Sequence, residues 1–173
     1  MPATTPLPFA QVNADDFTLR DGDDELRVDT LCCRLLLAVR DSLLAGGDIS
    51  PRQVGAICRG ADLFLRDFVI AACGDNLLRL PPERVRQFAG HWYIVNSLEP
   101  NGDELAAILA GIAACYKVLA GRSLVTGALA EAVIAACADL PWYRQRIEDY
   151  WTIAGDGYQH WRDACPLPPE PRW

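Results

Sequence analysis

From Asp29 onward, the apolar positions of this chain recur at helical spacing. Leu31, Leu35, Val39 and Leu43 form an i+4 row with Cys32 and Leu36 beside it, while Arg34 and Asp41 mark the wet side. Gly46-Gly47 punctuates this first helix. Ser50-Pro51-Arg52-Gln53 then reads as a well-formed start, with Ser at the N-cap, Pro at the first helical position and Gln closing a capping box. Val54, Ile57, Cys58, Ala61, Leu65, Phe68 and Ala72 hold one face of this second helix, and Arg52, Arg59 and Arg66 hold the other up to Gly74. Pro81-Pro82 opens a third, with Val85, Phe88, Ala89, Trp92 and Val95 as its core stripe. Asn101-Gly102-Asp103-Glu104 is a second capping box, followed by Leu105, Ile108, Leu109, Ile112, Tyr116 and Leu119 up to Gly121. The fifth helix, residues 126–139, carries only Glu131 as a charge before its end. A helix that is apolar nearly all round is expected at the centre of a bundle or at an oligomer interface. Pro141 starts a sixth helix reaching Ile153, and Asp156-Gly157-Tyr158-Gln159 caps a last short one.

Six or seven helices with short connections and no internal repeat predict an all-α fold, a compact bundle forming one helical domain over residues 29–164. Residues 1–28 form a lead-in rich in Pro and then in acid. Phe17 and Leu19 alternate, as do Leu26 and Val28, around Asp21-Gly22. That alternation is compatible with a short N-terminal hairpin, although the acid run favours a solvated lead-in. Residues 165–173 carry four prolines and are expected to be an extended, polyproline-like tail.

Composition supports a globular domain: 173 residues, 51% hydrophobic and 23% charged. The net charge of −7 is spread over both halves of the chain. Nucleic-acid binding needs clustered Lys and Arg to neutralise phosphates, and no cluster is present, so no nucleic-acid partner is expected. Arg supplies every basic residue but Lys117, a bias that base composition explains as well as selection for bidentate pairing does. No basic stretch leads into an apolar run at the N-terminus, and charges interrupt the apolar helices. The expectation is a cytoplasmic protein without a membrane partner. The seven cysteines are odd in number, fall mostly within helices and form no CxxC, unlike a secreted disulfide framework.

Catalytic signatures are sparse. The two histidines lie 69 residues apart, and neither follows an acid by three positions, so no metal is expected. There is no GxxxxGK[ST], no GxGxxG and no GxSxG, and no cofactor is expected. Cys32 and Cys33 near the start of the first helix could have lowered thiol pKa values, but Cys32 lies on the apolar row. Cys165, in the Pro-rich tail, is expected to be the most exposed thiol. His91 shares a polar flank with Arg84 and Gln87 and reads as a surface residue.

One segment stands apart. Seven of the ten Trp and Tyr residues lie in the last thirty-two positions, interleaved with arginines. Such rings combine large apolar area with a polar atom, and with Arg they dominate binding hot spots. Tyr143, Ile147, Tyr150 or Trp151, and Ala154 follow an i+4 stripe, and Gly155-Asp156-Gly157 lets Tyr158 and Trp161 fold back as a lid. The candidate binding residues are Trp142, Arg144, Arg146, Trp151, His160 and Trp161. The expected function is binding of a protein partner or of a second copy, as a homo-oligomer, without catalysis. The alternative is a small-molecule binder or enzyme with a pocket between the bundle and the aromatic segment, lined by His160 and Arg146.

Two short stretches carry a similarity to known families. Glu99-Pro100-x-x-Asp103 is similar to a loop motif of helical redox-enzyme maturation chaperones, but this one short loop defines no family. Residues 101–140 are compatible in shape with the core-binding domain of bacterial tyrosine recombinases, but the acidic charge and missing basic face argue against DNA binding.

Overall fold

The computed structural model describes residues 4–169 and 171. Seven helical runs follow one another, and no strand occurs among the described residues. Helix α1 spans Asp24–Gly46 and ends on Gly47 at φ +73°. Helix α2, Pro51–Asp62, continues unbroken into a π-wound stretch, Leu63–Ala72. Helix α3, Arg84–Gln87, passes through a second π-wound stretch, Phe88–Trp92, into α4, Tyr93–Asn96. Helices α5 (Gly102–Gly121), α6 (Gly127–Cys137), α7 (Leu140–Trp151) and α8 (Gly157–Asp163) complete the chain.

The starts follow from their caps. The capping box forms in full at α2, where Ser50 and Gln53 satisfy each other's backbone N–H. At α5 only half of the expected box exists. Asn101 Oδ1 accepts from the Glu104 N–H at 2.8 Å, but the Glu104 carboxylate accepts from the Tyr93 hydroxyl at 2.6 Å instead of returning to Asn101. Burial and that carboxylate push the Tyr93 hydroxyl up to about 12, so it stays protonated and donates.

The centre of the bundle is α5, not the nearly uncharged fifth predicted helix. α5 packs against α1, α2, α6 and α7, burying Leu105, Ile108, Leu109, Ile112, Cys115, Tyr116 and Leu119. The predicted fifth helix, now α6, lies on the flank. It buries Ala130, Val133 and Cys137 and exposes Ala128 and Ala135. Its outer face carries only Glu131 as a charge and is otherwise largely alanine, which offers little apolar area to bury. α5 also has the length and hydropathy of a membrane span, 20 residues at 1.6, contrary to the expectation that no helix did. Where α2 crosses α5 the backbones touch: a Cβ on Gly60 would lie 2.8 Å from Ile108 Cα, and one on Gly111 2.5 Å from the Ile57 carbonyl oxygen.

The π winding changes which residues face inward. A π turn closes i→i+5, as in Cys73 N–H to Phe68 O at 2.9 Å, and so rotates everything downstream by about one position. In the third run Val85, Phe88 and Ala89 are buried as expected. Beyond them the core takes His91, Tyr93 and Ile94, and leaves Trp92 and Val95 half-buried. Phe64, Phe68, Phe88 and Trp92 form one aromatic cluster, with Phe88 at 5.1, 5.5 and 5.7 Å from the other three rings.

The N-terminal segment forms no hairpin; its acidic side chains Asp15, Asp16, Asp21 and Asp23 are exposed, as expected of a solvated lead-in, but its backbone is held against the bundle. Two short 3₁₀ turns, Phe9–Gln11 and Ala14–Phe17, seat Leu7 and Phe17 in the core, and α1 begins five residues earlier than the periodicity suggested. Arg27 donates to the carbonyls of Asp16 and Thr18, and Asn76 Nδ2 to that of Ala14 at 2.7 Å, so the acidic segment folds over an anchored backbone. The tail likewise begins as a strap on the bundle, with Cys165 buried and Leu167 packed on the core. The ends of both predicted segments, residues 1–3 and 170, 172 and 173, lie outside the described residues.

Candidate functional site

α7 starts with Pro141 in its first turn and turns Tyr143 and Ile147 inward. The Tyr143 hydroxyl donates to the Ala136 carbonyl at 2.8 Å, fixing α7 to the end of α6. One turn on from Tyr143, Arg146 is also buried, at 5% exposure. Its Nε donates to the Gly90 carbonyl at 3.0 Å. Its guanidinium lies 3.9 Å from the Trp161 ring centroid and 5.8 Å from that of Trp142. Trp161 Nε1 donates back to the Arg146 carbonyl at 3.0 Å, so α8 is clamped onto α7 from both sides of one residue. Arg86 lies 3.5 Å from the Trp142 ring centroid. Gly90 is required beneath this stack, since a Cβ there would stand 2.5 Å from the Trp142 ring. Burial lowers the Arg146 pKa, and its Nη2 is buried with no hydrogen-bond partner among the described residues.

The six predicted site residues therefore separate into two groups. Trp142, Arg146 and Trp161 come together as an interior cation–π stack, worth on the order of 1–2 kcal/mol per contact when desolvated. The other three stay at the surface. Arg144 lies over Gly102 and pairs with Asp103 at 2.9 Å. His160 is exposed on α8, and its side chain makes no hydrogen bond among the described residues. Trp151 is 58% exposed, its Nε1 donating to the Pro100 carbonyl at 3.3 Å. Arg146 and His160, expected to line one pocket, are separated by burial: Arg146 is interior and His160 exposed.

The residues that complete the stack are ones the sequence pattern misassigns. His91, expected at the surface, is 4% exposed and meets Trp161 edge-on at 5.1 Å. Its Nδ1 is 2.6 Å from the Cys165 carbonyl, so Nδ1 carries the proton and donates. Cys165, expected to be the most exposed thiol, is 5% exposed at the start of the strap. The π turn at Phe88–Trp92 is what rotates His91 inward, and helical period alone does not reveal it.

No thiol here is activated. Burial pushes Cys73, Cys115 and Cys137 up to about 12, Cys32 well above its ordinary value, and Cys33, Cys58 and Cys165 upward as well. Because α1 begins at Asp24, Cys32 and Cys33 lie more than two turns inside it, beyond the reach of the helix terminus. Among the described residues, no group of three or more His, Cys, Asp or Glu is placed to hold a metal ion. No known protein family, curated protein or solved structure matches the chain. The functional reading therefore rests on this geometry.

His91 is expected to make the clamp pH-sensitive. Burial lowers its pKa from 6.5, and the Arg146 and Arg162 charges add to that, partly offset by the bond to Cys165. A depressed histidine pKa leaves stability intact above 6.5. Stability is lost as pH falls below that value and on through the lower folded pKa, because the unfolded chain takes up the proton first. Urea midpoints between pH 7 and 5 should fall more steeply for the wild type than for His91→Asn, whose Nδ2 takes the place of Nδ1 as donor to Cys165 but does not titrate. Parallel slopes would show that His91 is not the group responsible.

Proposed function

We propose that the protein is a non-catalytic, cytoplasmic binding protein that self-associates through the face formed by the end of α7, α8 and the loop of residues 97–101. The observation that carries this reading is Trp151, an indole that is 58% exposed yet held in place by its bond to Pro100. In the adjoining loop Leu98 is 99% exposed, and Tyr158 on α8 is 43% exposed. From Trp151 the rings continue through Tyr150 at 5.9 Å and Trp161 at 5.2 Å to Tyr158 at 6.0 Å. A fixed aromatic anchor loses little conformational freedom on binding, and Trp and Tyr with nearby Arg are the residues that dominate interface energetics. The buried members of the run, together with Arg146, support the presented ones.

Sedimentation velocity over a concentration series tests this. The wild type should self-associate, and Trp151→Ala combined with Leu98→Ser should weaken association by at least about tenfold, the 1.4 kcal/mol that a hot-spot residue exceeds. The thermal midpoint should change little, since both side chains are exposed. A wild type that stays monomeric throughout, or a double variant that associates as tightly, overturns the proposal.

A further inference from the structure

Helix α8 is held on the bundle through one small set of contacts. At seven residues it is too short to persist alone, since isolated helices below about 12–15 residues are marginal in water. Gly155, at φ +59° with open space around its Cα, provides a hinge before it. The one residue that α8 buries is Trp161. That indole donates to the Arg146 carbonyl at 3.0 Å, receives the Arg146 guanidinium at 3.9 Å and meets His91 at 5.1 Å. Just beyond α8, the Cys165 carbonyl accepts from His91 Nδ1 at 2.6 Å. His91 therefore touches both α8 and the strap that follows it. The same indole carries Tyr158, stacked at 6.0 Å and 19°, and Tyr150 at 5.2 Å, which leads on to Trp151.

This setting suits a neutral imidazole and not a charged one. The charges that reach His91 are those of Arg146 on α7 and Arg162 on α8, both positive. The strap offers the Cys165 carbonyl and a thiol that burial keeps protonated. In the run that carries His91 itself, Gln87 donates to the Pro166 carbonyl at 3.0 Å, and Arg86 is paired with Asp139 at 3.0 Å. The other nearby acids are engaged as well, Asp163 with Arg162 at 3.4 Å and with Gln159 at 2.6 Å, and Asp149 with Gln145 at 2.8 Å. Arg146 already leaves Nη2 without an acceptor among the described residues. A proton on His91 would set a second cation beside this buried one, and no carboxylate among the described residues bonds to either. With α8 released, His91 would take up a proton at its ordinary value of 6.5, but with α8 docked only at a lower one. Falling pH therefore favours the released form.

We propose that His91 is a proton switch on self-association: its protonation releases α8 and the start of the strap, which takes Tyr158 out of the face that carries Trp151. The switch rests on the self-association reading above. Hydrogen exchange read by mass spectrometry and sedimentation velocity, both on the full chain at pH 7 and pH 5, test it. In the wild type, α8 amides should lose at least about tenfold protection at pH 5 relative to those of α5, and association should weaken by at least about tenfold. Referring α8 to α5 cancels the intrinsic pH dependence of exchange and separates release of α8 from global unfolding. His91→Asn, which keeps a donor toward Cys165 and does not titrate, should retain both protection and association at pH 5. His160→Asn leaves His91 as the only histidine and should respond as the wild type does, so it carries the test if His91→Asn does not fold. Wild-type α8 that stays protected at pH 5, association that persists there, a His91→Asn variant that loses both, or a His160→Asn variant that loses neither would each overturn the switch alone. A wild type that is monomeric at pH 7 overturns the self-association reading and the switch with it.

Discussion

Gly111→Ala is expected to destabilise the fold by about 3 kcal/mol or more, the upper end of what overpacking a core usually costs. The added Cβ would stand 2.5 Å from the Ile57 carbonyl oxygen and 3.3 Å from Gly60 Cα. Both are backbone atoms of α2, so no rotamer change relieves the clash and the two helices must separate. That separation would loosen the packing of α5 against α2 along their crossing. Alanine in place of glycine inside a helix ordinarily gains up to about 1 kcal/mol, which makes the sign of the effect informative. Gly55, also within α2, provides the control, because a Cβ there meets only Arg59 Nη1 at 3.6 Å. Gly55→Ala should therefore stabilise the protein while Gly111→Ala destabilises it, and urea denaturation of the two variants beside the wild type reads the contrast. If Gly111→Ala matched or exceeded the wild type in stability, the α2–α5 crossing would have to be looser than described.

The same glycines show where the sequence is informative and where it is not. Capping chemistry is local, so Ser50-Pro51 and Asn101 mark helix starts that the structure reproduces. The i+4 row of α5 likewise matches its buried face, and that of α1 does so at Leu35 and Val39 while Leu31 and Leu43 are half-buried, since an uninterrupted α-helix keeps its register. Close backbone approach leaves no such trace, and a glycine needed for a helix crossing reads in sequence like any other helical glycine. Register is lost at the π stretches. A single residue accommodated in a wider turn moves His91 from a polar flank into the core and Trp92 partway out of it, without changing the composition of the segment. Charge is a poor guide to depth in both directions. α6 carries a single charge, Glu131, but lies on the flank, and Arg146 carries charge but is interior because two indoles and a carbonyl receive it. In the aromatic segment, periodicity correctly separates Tyr143 from the outer face. It could not decide between Tyr150 and Trp151, which are neighbours on one helix; the bond to Pro100 holds Trp151 at the surface.

Phe88→Ala should cost about 4 kcal/mol, within the range of 3–5 for removing a fully buried aromatic ring. Phe88 has no exposure and sits at the junction of the two π-wound stretches, in contact range of Phe64, Phe68, Trp92 and Tyr93. Each aromatic pair adds about 0.5–1.5 kcal/mol beyond area burial, so the loss falls on several partners at once. The surroundings cannot readily collapse into the space, because the backbone on either side is fixed by π-turn hydrogen bonds and by the strap bonded to His91 and Gln87. Phe88→Leu retains most of the volume and should cost roughly half as much. Denaturation at constant m-value would report stability alone, whereas a reduced m-value would mean that the native state itself has loosened. Trp92 provides a local readout, since its ring lies nearly parallel to that of Phe88 at 23° and 5.7 Å. Loss of that neighbour should shift Trp92 emission in Phe88→Ala relative to Phe88→Leu. A cost below about 1 kcal/mol would mean that the cluster repacks freely, and then the π winding could not be held by Phe88.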